Sequence, residues 1–101
     1  MKERDLQKTI LDYLRLKKCL VFKHVSTGIR IQGKHFIPFP MGEKGISDII
    51  GCTKKGQFLA CEVKMKGNKA TPAQFKFLKE VEEHGGIAIL ANSLDDVISQ
   101  I

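Results

Sequence analysis

No run of apolar residues in this sequence approaches the ~20 that a membrane-spanning helix requires; the segment 87–91 (I-A-I-L-A) is among the longest. Glycine and proline are also scarce, with nine and three copies among 101 residues. This composition argues against a disordered tail, a collagen-like repeat and a low-complexity scaffold. The N-terminus is charged and has no apolar segment behind it. The sequence therefore predicts a protein without a secretory signal or a membrane partner, located in the cytoplasm.

The cysteine pattern excludes the usual stabilisers of small domains. Cys19, Cys52 and Cys61 form an odd set without a C-x-x-C motif and without histidines at zinc-finger spacing. Each cysteine lies in an apolar neighbourhood, which favours buried, reduced thiols over disulfides or metal ligands. A disulfide-stapled or zinc-stabilised mini-domain is therefore not expected.

The charge balance points to a polyanionic partner. Seventeen Lys and Arg residues against eleven Asp and Glu residues give a net charge of +6 at pH 7, a surplus that favours nucleic acid first. The length predicts one domain covering residues 1–101. A chain of this size buries only about two-thirds of its unfolded surface, so a dimer would add stability.

Hydrophobic periodicity and turn residues predict an α/β fold with a mixed sheet flanked by helices. A helix is expected over 3–18, a second helix from Thr71 with a capping box completed by Gln74, and a last helix capped at 93–96. The four-residue turn 53–56 indicates that the strands on either side of it form an antiparallel hairpin. Strands are expected over 19–25, 29–32, 35–39, 46–51, 57–64 and 87–91.

Three charged residues in the predicted hairpin are not explained by strand propensity. Alternation places Glu62 and Lys64 on one face of their strand, and Asp48 lies among isoleucines on the partner strand. The hairpin would bring the Asp48 and Glu62 carboxylates together, where they repel each other unless a cation lies between them. Mg²⁺ or Mn²⁺ suits oxygen ligands, and a nearby lysine stabilises developing negative charge. Such a site has the parts needed to hydrolyse a phosphodiester.

Short motifs in a fixed order extend over nearly the whole chain. They are Glu3 and Gln7 ahead of D-Y-L at 12–14, G-I-S-D-I-I-G at 45–51, E-V-K at 62–64, T-P-A-Q at 71–74 and H-G-G at 84–86. The D…E-x-K part resembles the motif of the PD-(D/E)XK nucleases. The whole pattern resembles the virus-type replication-repair nuclease (VRR-NUC) branch of that superfamily, which implies a restriction-endonuclease-like core. The branch name points to a bacterial or phage-infected host cell.

The resemblance assigns roles to the hairpin residues. It implies that Asp48 and Glu62 are metal ligands for Mg²⁺ or Mn²⁺, that the Val63 carbonyl is a third ligand, and that Lys64 is the catalytic lysine. The proline that the family pattern places before the aspartate is replaced here by Ser47. A solvated cross-strand charge pattern remains the alternative explanation of Glu62 and Lys64.

Two helix residues carry both a functional and a structural interpretation. The resemblance implies that Glu3 acts on the metal directly or through a water, and that Gln74 contacts the site or the DNA. Glu3 is equally explained as a first-turn acid facing the helix dipole, and Gln74 by its capping box. Lys66 and Lys69, directly after the E-V-K strand, are candidates for phosphate contact or for a solvated face.

The function implied by the resemblance is a metal-dependent, structure-selective DNA endonuclease. Stand-alone members resemble Holliday junction resolvases, so we expect a homodimer that cleaves branched DNA or four-way junctions, whose symmetry matches a two-fold axis. A flap or nicking endonuclease is the alternative within the same class. A non-catalytic nucleic-acid-binding module, with the carboxylates paired to Lys64, is the alternative from another class.

Overall fold

The computed structural model describes residues 2–25, 28–31, 35–38 and 44–101, with residues 28–31 and 35–38 described as backbone only. Three helices and six strands occur along these residues, with five of the strands between the first two helices. They are α1 (Glu3–Leu16), β1 (Leu20–Lys23), β2 (Gly28–Ile31), β3 (His35–Pro38), β4 (Ile49–Cys52), β5 (Phe58–Val63), α2 (Pro72–Glu83), β6 (Ile87–Ala91) and α3 (Leu94–Ile98).

The principal sheet is mixed, with four strands in the order β1-β4-β5-β6. Strand β4 is antiparallel to both β1 and β5, whereas β5 and β6 are parallel and joined through α2. Strands β2 and β3 form a separate antiparallel pair. The predicted α/β class and the predicted hairpin are thus confirmed. The hairpin turn is closed by a hydrogen bond from the Gly56 N–H to the Thr53 carbonyl, 2.8 Å long.

Strand β5 is buried on both faces, and this explains why Glu62, a charged residue on the strand, is buried. Its residues Leu59, Cys61 and Val63 face a core shared with α1 and α3. Ala60, on the other face, packs with Leu78 and Val81 of α2. Because Glu62 alternates with Cys61 and Val63, it shares the α2 face of the sheet with Ala60.

Several predicted boundaries are longer than the observed elements. Helix α1 ends at Leu16 instead of residue 18, because Lys18 takes a left-handed conformation (φ 66°) and the Cys19 N–H turns back to the Leu14 carbonyl at 3.0 Å. Strand β1 covers only part of the predicted 19–25. Strands β2 and β3 lie within the predicted 29–32 and 35–39 apart from Gly28, and residues 32 and 39 are outside the described segments.

Strand β4 begins at Ile49, three residues later than predicted. The carboxylate of Asp48 accepts the N–H of Val63 at 2.9 Å. A side chain thus satisfies a backbone donor at the end of β5, and the backbone ladder between the two strands stops short of Asp48. The early end of the ladder is therefore a direct effect of Asp48.

The predicted cap of α3 is only partly correct. The Ser93 side chain makes no capping hydrogen bond. The Asp96 carboxylate instead accepts the Asn92 N–H at 2.8 Å, so the acid in the first turn holds the entry to the helix.

The cysteines are free thiols, as expected from their spacing. Cys19 and Cys61 are buried, and Cys52 is partly buried. Burial raises the pKa of Cys61 to about 12, and the nearby Asp48 carboxylate adds to this effect. Cys61 is therefore a protonated core residue. Among the described residues, no helix is both long and apolar enough to cross a bilayer.

Candidate active site

Asp48 is held between two strands of the sheet. Its carboxylate accepts the Val63 N–H at 2.9 Å, and its backbone carbonyl accepts the His24 N–H at 2.7 Å. Asp48 is therefore fixed from the β5 side through its side chain and from the β1 side through its backbone. This arrangement orients one carboxylate toward the end of β5, where Glu62 lies.

Glu62 is the most deeply buried charged residue described. Its side chain is 1% exposed, and its Oε1 has no hydrogen-bond partner among the described residues. The pKa of Glu62 is raised to about 8, mainly by burial and also by the neighbouring Asp48 carboxylate, while Lys64 opposes the shift. The two carboxylates are thus close enough to interact strongly, as the hairpin predicts, and Glu62 carries a proton near neutral pH.

Lys64 completes the group on this face of the sheet. Its Nζ lies 3.9 Å from the Glu62 Oε2, and its side chain is 18% exposed. Its backbone is anchored to the end of β6 and the residue after it, because its N–H donates to the Ala91 carbonyl at 2.9 Å and its carbonyl accepts the Asn92 Nδ2 at 3.0 Å. A solvated charge pattern does not fit this burial, so that alternative for Glu62 and Lys64 is wrong.

Gln74 joins its helix cap to the carboxylate pair. Its Oε1 accepts the Thr71 N–H at 2.8 Å, and its own N–H donates to the Thr71 Oγ1 at 3.2 Å, which completes the predicted capping box. Its Nε2 donates to the Glu62 Oε2 at 3.3 Å. The side-chain amide of Gln74 therefore caps α2 and also contacts Glu62, two roles that the sequence left as alternatives.

Glu3 lies nearby without joining the pair. It is the half-buried first residue of α1, and its charge adds a small increment to the raised pKa of Glu62. No three His, Cys, Asp or Glu side chains in the described part of the chain are grouped closely enough to hold a metal ion. The structure thus brings Asp48 and Glu62 together and leaves Glu3 at the edge of the site.

The remaining predicted site residues follow the E-V-K strand. Val63 is fully buried and its N–H holds Asp48 in place. Lys66 and Lys69 are exposed on the loop before α2, and neither forms an ion pair with a described residue. Both ammonium groups are therefore accessible to an anion arriving from solvent.

The donor set fits a hard divalent cation. A buried carboxylate oxygen without a partner is costly, and the unpartnered Oε1 of Glu62 lies beside a second carboxylate. Oxygen ligands of this kind suit Mg²⁺ or Mn²⁺. The sequence interpretation named Ser47 and Gln7 only as parts of motifs, and both are buried polar residues in the structure; the Ser47 Oγ has no described partner. Their burial was indicated in the sequence, because each is a polar residue at a position that the apolar pattern places in the core.

The contact between Gln74 and Glu62 can be tested with two cap variants. Thr71→Ala removes half of the capping box and is expected to cost about 1 kcal/mol of stability with little change in function. Gln74→Ala removes the cap and also the donor to Glu62, so we expect a similar loss of stability together with about a tenfold drop in the rate of the reaction proposed below. Equal rates for the two variants at equal stability would show that the contact has no functional role.

Gly45 fixes the loop that carries Asp48 against the start of α2. Its φ is +84°, and a Cβ there would lie 2.3 Å from the Ala73 carbonyl oxygen. We expect Gly45→Ala to lower the free energy of unfolding by about 1–3 kcal/mol, measured by chemical denaturation. Gly67→Ala is the control, because Gly67 has a similar φ of +94° with nothing within 4 Å of its Cβ position. Equal losses would mean that the approach to α2 is unimportant.

Comparison with known proteins identifies the family and shows the same fold in solved structures. The family model described as "VRR-NUC domain" matches residues 2–95. One solved structure, described as "VRR_NUC domain", shares 19% identity and covers 96% of this chain and 90% of its own, with a TM-score of 0.68. A second, "VRR_NUC domain protein", shares 22% identity and covers 99% of this chain and 84% of its own, with a TM-score of 0.64. No curated protein matches the chain.

Proposed function

Because the chain belongs to the VRR-NUC family of nuclease-type domains, we propose that it is a divalent-metal-dependent DNA endonuclease that hydrolyses phosphodiester bonds in branched DNA. The observation that carries the proposal is the pair of carboxylates at Asp48 and Glu62. The buried Oε1 of Glu62 has no described partner, and the Lys64 Nζ lies 3.9 Å from its Oε2. A nucleic-acid-binding surface gains nothing from two acids that repel phosphate, whereas a metal-dependent nuclease requires them.

Asp48 and Glu62 are the residues proposed to hold Mg²⁺ or Mn²⁺. The family resemblance adds the Val63 carbonyl as a third ligand and Glu3 as a residue that acts on the metal directly or through a water. When bound, such an ion activates a water and neutralises charge on the phosphoryl oxygens. The protein residues supply the rest. The Lys64 ammonium stabilises the negative charge that develops on the phosphate during attack. Gln74 holds the Glu62 carboxylate in one orientation by donating to its Oε2.

The substrate proposal rests on charge and symmetry. The chain carries a net charge of +6, which favours DNA in general, and Lys66 and Lys69 place two exposed ammonium groups directly after the E-V-K strand. We expect these two lysines to contact phosphates that flank the cleaved bond. A homodimer would present two sites about a two-fold axis, which matches a four-way junction.

The test is a cleavage assay on a synthetic four-way junction, with a flap and a linear duplex as parallel substrates, each in Mg²⁺, Mn²⁺ and EDTA. Symmetric nicks in the junction that disappear in EDTA, together with a dimer by light scattering, are expected of a resolvase. Cleavage of the flap alone would support the proposed hydrolysis but would make a flap, and not a four-way junction, the substrate. Salt-dependent binding without cleavage in any metal would show a nucleic-acid-binding module.

A further inference from the structure

A second feature of the fold lies beside the carboxylate pair and is not used by it. A pocket of about 350 Å³ opens between α1 and the strands β1 and β4. Ile49, in its wall, directly follows Asp48, and Gln7 lies one helical turn after Glu3. The pocket therefore lies on the α1 side of the sheet, one residue along the chain from Asp48 and one helical turn from Glu3. The pocket is lined by Arg4, Asp5, Gln7, Lys8, Leu11, Lys23 and Ile49.

Gln7 places a side-chain amide in the wall of this pocket. Its side chain lines the pocket although the residue is only 9% exposed. Within the described segments, no group forms a hydrogen bond with its amide, in contrast to the amide of Gln74. A ligand that fills the pocket with its own donor and acceptor would be within the reach of the Gln7 amide.

The rim of the pocket is positively charged. Arg4 and Lys23 form no ion pair with any described residue, whereas Lys8 pairs with Asp12 at 2.9 Å in an exposed position. The one acid on the rim, Asp5, is engaged elsewhere, since its carboxylate accepts the Lys2 N–H at 3.0 Å. An anionic group at the mouth of the pocket would therefore meet two available cations.

We propose that this pocket receives one unstacked nucleotide of the DNA strand next to the phosphate that is cleaved. Leu11 and Ile49 offer apolar contact for the base, and the Gln7 amide pairs with a donor and an acceptor on the edge of the base. Arg4 and Lys23 contact the adjoining phosphate. This inference deepens the proposed function and rests on it for the identity of the polymer.

The size and position of the pocket select unpaired DNA. Its volume lies at the lower end of the roughly 300–1,000 Å³ range of ligand pockets, which suits a single nucleotide and excludes a base pair held in a duplex. A nucleotide enters at little cost where the strand is already unpaired, as at a branch point or a flap. The pocket therefore gives the protein a physical means of preferring branched DNA over intact duplex.

The test is an NMR titration in EDTA, where no cleavage occurs, with a single-stranded DNA pentanucleotide as the probe. We expect shifts at the Gln7 side-chain amide and at the methyl groups of Leu11 and Ile49. Gln7→Leu and Arg4→Ala should each raise the Kd about fivefold or more. Lys79→Ala, which removes one exposed charge from α2, is the matched control and should change the Kd less than about twofold.

Absence of shifts at the pocket, or equal shifts with a duplex of the same sequence, would overturn the inference. So would an unchanged Kd in both Gln7→Leu and Arg4→Ala, and Arg4 is exposed enough to be replaced even if the Gln7 variant does not fold. Pentanucleotide binding at the pocket without cleavage of any DNA would overturn the nuclease proposal alone. Cleavage of DNA without pentanucleotide binding at the pocket would overturn the nucleotide-binding inference and leave the nuclease proposal standing.

Discussion

Replacing Asp48 with asparagine is expected to reduce metal-dependent DNA cleavage by about a thousandfold or more while leaving the protein folded. Asparagine keeps an oxygen that can accept the Val63 N–H, which Asp48 accepts at 2.9 Å, so the end of β5 remains satisfied. It removes the negative charge that the proposed metal site requires, and the loss of several kcal/mol of transition-state stabilisation corresponds to a rate reduction of this size.

The measurement is single-turnover cleavage of the preferred DNA substrate with saturating enzyme, together with thermal unfolding of the same samples. Glu82→Gln is the control, because it makes the same change of charge at an exposed position on α2 and should leave the rate within about twofold of wild type. A folded Asp48→Asn protein that cleaves at the wild-type rate would remove Asp48 from the proposed site.

The second large effect is an increase in stability, predicted for a variant that loses activity. We expect Glu62→Gln to abolish cleavage and yet to stabilise the metal-free protein by about 1–3 kcal/mol at pH 8. The glutamate carboxylate is almost fully buried and its Oε1 lacks a described partner. Glutamine occupies the same volume without a charge to desolvate.

The pH dependence follows from the raised pKa of Glu62. Burial raises this pKa from 4.5 to about 8, so between these values the folded protein keeps a proton that the unfolded chain releases. The free energy of unfolding of wild type should therefore fall as the pH rises through this window, by up to about 1.4 kcal/mol per pH unit. Glu62→Gln lacks the group and should show a flatter profile.

Urea denaturation in EDTA at pH 5, 6.5 and 8 measures these differences. The advantage of Glu62→Gln over wild type should be small at pH 5 and largest at pH 8, and Glu82→Gln should follow the wild-type profile. Mg²⁺ should stabilise wild type more than Glu62→Gln, since a bound ion stabilises the folded state that binds it. A constant difference between Glu62→Gln and wild type across the pH range would mean that Glu62 is ionised in the fold.

The predictable parts of this protein are those that depend on neighbours in the chain. The capping box of Thr71 and Gln74 involves residues three positions apart, and the turn at 53–56 aligns β4 with β5. Because alternation along β5 is a local property, the pairing of Asp48 with Glu62 could also be predicted. The sequence could not show that the Gln74 amide reaches Glu62, because that contact depends on how α2 packs against the sheet.

The sequence predictions were wrong where two groups compete for the same structural role. Ser93 has a residue type that favours helix caps, but the Asp96 carboxylate holds the Asn92 N–H instead. Strand propensity continues through residues 46–48, but the Asp48 side chain replaces the backbone ladder there. The pocket lined by Gln7 depends on the packing of α1 against β1 and β4, which no local pattern encodes.

The anchoring of Lys64 by residues 91 and 92 determines when the candidate site can form during synthesis of the chain. The backbone of Lys64 is held by the Ala91 carbonyl and the Asn92 side chain, and the parallel pairing of β5 with β6 is made only after α2 has crossed over. A chain growing from its N-terminus acquires Asp48, Glu62 and Lys64 well before these contacts can form. These three side chains therefore reach their final arrangement only after residues 91 and 92 have been synthesised and β6 has paired with β5.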